Sequence, residues 1–68
     1  MATIYEKVGE KIKQLRKRNG LSQEQLATMA KLDLTSISEI ESGLRNPSLK
    51  TLHKISLALK GDIKDLID

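Results

Sequence analysis

Apolar residues in this chain recur only at helical spacing, and each run stops short at a glycine, a capping residue or the single proline. Ile4, Val8, Ile12 and Leu15 predict a first helix over residues 3–19. Gly20 then offers a left-handed stop after Arg16, Lys17 and Arg18, whose charges suit a helix C-terminus. Ser22-Gln23-Glu24-Gln25 has the form of a capping box and opens a second helix, with Leu26, Ala27 and Ala30 inward and an end near Lys31. Asp33 is the N-cap of a third helix of about ten residues, in which Ile37 and Ile40 face inward and which Gly43 ends. After the loop Leu44-Arg45-Asn46-Pro47, Ser48 caps a fourth helix carrying Leu49, Leu52, Ile55, Ala58 and Leu59. Gly61 and Asp62 separate it from a last turn with Ile63, Leu66 and Ile67. No stretch alternates as a strand does, so the expectation is one compact, all-α, five-helix domain over residues 1–68.

A chain of 68 residues is near the lower limit of independent stability, and with no cysteine it has no disulfide or thiolate metal site to supplement its core. A second copy is the remaining source of stability, which makes a homodimer plausible before any motif is read. No apolar run is long enough to span a bilayer, and the N-terminus does not read as a signal peptide. The expected location is the cytoplasm, without membrane association.

The net charge of +3 suits an anionic partner, and its distribution says more. Residues 1–20 hold six basic and two acidic groups, residues 43–61 four and none, and residues 21–42 one and four. Tyr5 is the single aromatic residue, which argues against a base-stacking platform for single strands.

Residues 22–43 carry the functional signal. Two short helices are joined by a turn around Lys31, Leu32 and Asp33, and Ala27 is small where the helices would approach closely. This is the layout of a DNA-binding helix-turn-helix, whose second helix enters the major groove. With Ile37 and Ile40 buried, the third helix presents Leu34, Thr35, Ser36, Ser38, Glu39 and Ser42. Short hydroxyl-bearing side chains allow close approach and supply donors and acceptors for base edges, and Leu34 suits a thymine methyl. The plainer reading is a capping region and a polar face.

Leu21-Ser22-Gln23-Glu24-Gln25-Leu26-Ala27 and Ile37-Ser38-Glu39-Ile40-Glu41-Ser42-Gly43-Leu44-Arg45-Asn46-Pro47-Ser48 resemble the Cro and phage-repressor (lambda-repressor-like) helix-turn-helix domain. The resemblance runs from about Val8 to Ile67 and is strongest to the controller proteins of restriction–modification systems. It implies a single-domain homodimer that binds double-stranded DNA and regulates its own promoter and that of the endonuclease. By the family pattern Gln23 contacts a phosphate at the start of the second helix, and Arg45 and Asn46 hold the DNA backbone. Thr35, Ser36, Ser38 and Glu39 face base edges or nearby phosphates, while Leu34 is a base contact on its own chemistry and Ser42 a further phosphate candidate. Three residues depart from the controller pattern: Leu34 replaces a long polar side chain, Ser36 an aromatic one, and Glu39 is acidic. Glu39 is suited to accept from a cytosine amino group or to exclude wrong sequences.

Arg16 has two readings, a phosphate contact or, as the resemblance suggests, an ion pair with Glu41 that ties the first helix to the third. Lys17 and Arg18 are candidate phosphate contacts, although with Lys11 and Lys13 they also fit a solvated face. Leu57, Ile63, Leu66 and Ile67 either complete the core or form the dimer seam, as in the resembling family. An isologous dimer predicts a palindromic site with half-sites about ten base pairs apart. His53 has no partner suggesting catalysis or metal binding, and Ser22 is a cap rather than a nucleophile. An enzyme, a metal, a cofactor and a small-molecule ligand are not expected. The alternatives are a stand-alone phage-type repressor and an antitoxin whose main partner is a protein. Glu39 and the start of the third helix suit contact with RNA polymerase as well as with DNA.

Overall fold

Thr3 starts the first helix with a reciprocal cap: its hydroxyl accepts from the Glu6 N–H at 3.1 Å, and the Glu6 carboxylate accepts from the Thr3 N–H at 2.9 Å. The computed structural model describes residues 2–67. Five helices follow in order: α1 (Ile4–Arg18), α2 (Gln23–Ala30), α3 (Leu34–Glu41), α4 (Leu49–Ala58) and α5 (Lys64–Ile67). No strand occurs among the described residues.

The expected caps form. Ser22 and Gln25 make the capping box of α2, and Asp33 and Ser48 accept from the backbone N–H groups of Ser36 and Thr51. Gly20 and Gly43 take positive φ after α1 and α3, as a left-handed helix stop requires. The stop of α2 instead falls on Lys31, at φ 58°, where the Leu32 N–H reaches back to the Ala27 carbonyl at 2.8 Å. Lys60, not Gly61, makes the left-handed turn after α4. A Cβ on Gly61 would lie 2.8 Å from Asp65 Oδ2, a side-chain tip that could swing aside by giving up its bond from the Asp62 N–H. The third helix has eight residues rather than about ten, because Ser42 already caps it.

Val8 and Ile12 from α1, Leu26, Ala27 and Ala30 from α2, and Ile37 and Ile40 from α3 meet in one core. Leu52, Ile55 and Leu59 enter it from the α4 side, and Leu66 from α5. Full burial of such side chains contributes about 1.5–3 kcal/mol each, offset by chain ordering. On α1 and α4, two residues of the expected stripes lie outside this core: Ile4 is 63% and Leu49 71% exposed. Each occupies the first position of its helix, beyond the edge of the packed region.

Helix α1 packs on α3 and α5, and α2 on α3 and α4. Gly9, which the sequence did not single out, sets the first of these contacts. A Cβ on it would collide with the backbone carbonyls of Ile40 and Glu41, the latter at 2.7 Å. Leu66 is 2% exposed, so it belongs to the protomer's own core and adds no area to a dimer seam. A four-residue helix cannot hold itself in water, and Leu66 is what fixes α5 to the domain.

Candidate nucleic-acid interface

The orientation of α3 is set from its buried side. Arg16 on α1 donates through Nε to Glu41 Oε2 at 2.6 Å and through Nη2 to Glu41 Oε1 at 3.0 Å. Its Nη1 donates to the Leu21 carbonyl at 2.8 Å, just before α2. Gln23 adds a third donor to Glu41, from Nε2 to Oε1 at 3.1 Å. The ion-paired side chains are 9% and 3% exposed. One carboxylate at the end of α3 therefore gathers α1 and the start of α2 into a fixed frame. Of the two readings of Arg16, the structure shows the ion pair.

Ala27, 3% exposed, lets α2 and α3 approach over the short Lys31–Asp33 turn. With Ser36, Ile37, Ile40 and Glu41 turned inward, α3 presents Leu34, Thr35 and Ser38, with Glu39 partly exposed. Leu34 is 45% exposed, an apolar group held in water at the head of the helix. Ser42 is exposed, and its hydroxyl bonds back to the Ser38 and Glu39 carbonyls at 3.0 and 3.1 Å. Asn46 is exposed in the loop after α3, and Lys17 and Arg18 are exposed at the end of α1.

Ser36 lies apart from this face. It is 7% exposed, and its hydroxyl donates to Asp33 Oδ1 at 2.5 Å while accepting from Arg45 Nη1 at 2.6 Å. A base edge has no open path to that oxygen, so in this structure Ser36 positions Arg45. Arg45 also donates from Nη2 to Glu39 Oε1 at 2.7 Å. Asp33, Ser36, Arg45 and Glu39 thus form one chain of polar contacts that runs from the buried Ser36 hydroxyl out to the exposed Arg45–Glu39 pair. The Ser36 hydroxyl is the main cause holding the Asp33 carboxyl below its ordinary range, with backbone N–H bonds and the Arg45 charge adding to it.

The sequence placed Arg45 on the DNA backbone and Glu39 on bases, and did not connect them. They are six residues apart across a glycine turn, where helical spacing gives no guide. Gln23 likewise is half-buried and bonded to Glu41, with its remaining amide valences at the start of α2. Among the described residues, no cluster of three His, Cys, Asp or Glu side chains is placed to hold a metal ion.

A bihelical unit with a short turn, an ion pair fixing its second helix from behind and a small-residue face in front define a helix-turn-helix domain. The helix-turn-helix family model matches residues 12–66, and the chain belongs to that family. It is 48% identical over 61 residues to the control protein C.BamHI of Bacillus amyloliquefaciens, spanning 88% of this chain and 75% of that one. The crystal structure of the restriction–modification controller protein C.AhdI from Aeromonas hydrophila superposes with a TM-score of 0.89 at 37% identity. That match covers 91% of this chain and 94% of the controller. The biofilm regulator SinR, crystallised in complex with DNA, matches with a TM-score of 0.86 at 39% identity, over 90% of this chain and 98% of the other.

Proposed function

We propose that this protein is a sequence-specific, double-stranded-DNA-binding transcription regulator that acts as a homodimer on a palindromic operator. The operon it controls is that of a restriction–modification system, its own promoter included. The observation that carries this reading is the exposed face of α3, held rigidly by the Arg16–Glu41 pair. It is built of Leu34, Thr35 and Ser38, side chains short enough to let a helix backbone approach base edges. Similarity to control proteins over nearly the whole chain supports the operon assignment.

In this reading α3 lies in the major groove, with Thr35, Ser38 and Leu34 against bases. Gln23, Asn46, Ser42, Lys17 and Arg18 flank it toward the phosphates, which set register and affinity while bases set preference. The dimer seam takes Leu57, 62% exposed, and Ile67, 51% exposed, with the half-buried Ile63. Leu57 stands beside Met29 and Lys54, and Ile67 beside Ile4 and Val8. No helix among the described residues is long and apolar enough to cross a membrane. An operator as partner is consistent with a cytoplasmic protein. The reading assigns the chain no catalytic step.

Selection of bound duplexes from a random pool tests this. The expected product is a two-fold symmetric consensus with half-sites about ten base pairs apart, bound by two protomers. Enrichment of no sequence, or of a single unrepeated half-site by a monomer, would contradict it.

A further inference from the structure

Resting on that DNA-binding reading, we propose that Glu39 is a specificity gate that acts on DNA through Arg45. The deciding feature lies on the surface itself. Between Leu32 and Leu49 the one basic residue is Arg45, and it is already engaged in the free protein. Its guanidinium holds Glu39 at 2.7 Å and Ser36 at 2.6 Å, with Asp33 behind Ser36 at 2.5 Å. The Glu39 and Arg45 side chains are 40% and 44% exposed, so this charge compensation lies on the side offered to DNA. The reading helix and the loop after it therefore present no free cation.

A phosphate or a guanine that takes Arg45 must compete with Glu39 for it. Glu39, once released, faces a groove of acceptor groups and phosphates, where a carboxylate without a donor is disfavoured. The cytosine amino group is the major-groove donor that pairs with a glutamate. Arg45 is thus released at little cost where a cytosine meets Glu39, and at a penalty elsewhere. Discrimination arises from the penalty on wrong sequences as much as from contacts with the right one. The arrangement also lowers indiscriminate attraction to DNA, because the one cation between Leu32 and Leu49 is neutralised within the protein.

The test is titration of the full-length wild type and Glu39→Gln against the protein's own upstream duplex and a scrambled duplex, at several salt concentrations. Glu39→Gln is expected to bind the scrambled duplex about tenfold more tightly at low salt. Its log–log salt dependence should steepen by about one, as one more phosphate is engaged. The ratio of affinities for the two duplexes should fall accordingly. In an Arg45→Gln background the same substitution should no longer steepen the salt dependence, since the cation it releases is gone. An exposed pair contributes little to folding, so Glu39→Gln should melt within a few degrees of the wild type, which circular dichroism checks.

Equal weakening of both duplexes, an unchanged salt dependence, or steepening that persists without Arg45 would each overturn the gate. A wild type that itself prefers neither duplex would overturn the proposed function instead. A wild type that discriminates while Glu39→Gln changes nothing would overturn the gate alone.

Discussion

Glu41 receives three side-chain donors, two from Arg16 and one from Gln23, in a setting that excludes most water. Removing one member of such a pair leaves an uncompensated buried charge, at a cost of about 3–5 kcal/mol. A core of this size supplies only about that much net stability. Glu41→Ala is therefore expected to be largely unfolded at room temperature, by circular dichroism and urea titration. Replacing both partners, Arg16→Met with Glu41→Leu, should recover much of the loss, because well-packed apolar groups replace a buried pair at little cost. Gly9→Ala should also destabilise, by about 1–3 kcal/mol or more in urea midpoints. The gain in helix propensity from alanine, about 1 kcal/mol, is outweighed by the clash with the Ile40 and Glu41 carbonyls. The two residues differ in legibility. The Arg16–Glu41 pair was open in the sequence as one of two readings, with the resemblance favouring it. Gly9 left no trace, since the need for a missing Cβ comes from a carbonyl about thirty residues away, and local pattern rules do not reach that far.

At the scale of elements, α2, α3 and α4 were legible from their own start signals, Ser22, Asp33 and Ser48, and α1 from its periodicity; the Thr3 cap of α1 appears only in the structure. The stops were less so: Lys31 and Lys60 adopt left-handed geometry that lysine disfavours, and the turns are closed by the Leu32 N–H on the Ala27 carbonyl and the Gly61 N–H on the Ser56 carbonyl. On α3 the helical wheel separated buried from exposed residues except at Ser36. Its hydroxyl is turned under Arg45 by Asp33, a partner that capping rules assign only to the backbone. The proposed interface then separates two kinds of substitution. Thr35→Ala with Ser38→Ala should reduce discrimination between the operator and scrambled DNA more than it reduces affinity for scrambled DNA. Lys17→Ala or Asn46→Ala should weaken both about equally and flatten the salt dependence, as fluorescence anisotropy would read. The cap has its own pH signature. Because the folded-state pKa of Asp33 is lowered, its stabilisation is complete above the ordinary value of 3.8 and fades as pH falls through the lower folded value. Melting curves of wild type and Asp33→Asn should therefore differ at pH 6 and draw together in stronger acid.

At the scale of the molecule, the number of helices and their order followed from punctuation, but the division of apolar residues between core and seam did not. Ile63, Leu66 and Ile67 read alike in sequence, since a short terminal helix gives too few turns to define a face. Leu57 stood out only as an apolar residue off the inward stripe of α4. In the fold Leu66 is 2% exposed while Leu57 and Ile67 are 62% and 51% exposed. Leu57→Asp or Ile67→Asp is accordingly expected to leave a folded monomer by sedimentation, with weakened operator binding. Leu66→Asp, which buries a charge, should fail to fold. If both exposed variants sediment as dimers, the seam lies elsewhere. Titration of the purified protein against its own upstream DNA and a scrambled duplex, at two salt concentrations, tests the central claim most directly. The account predicts a preference of about a thousandfold or more for the upstream DNA, with two protomers per site. Equal and strongly salt-dependent binding to both duplexes would contradict it, leaving only a basic surface without a reading function.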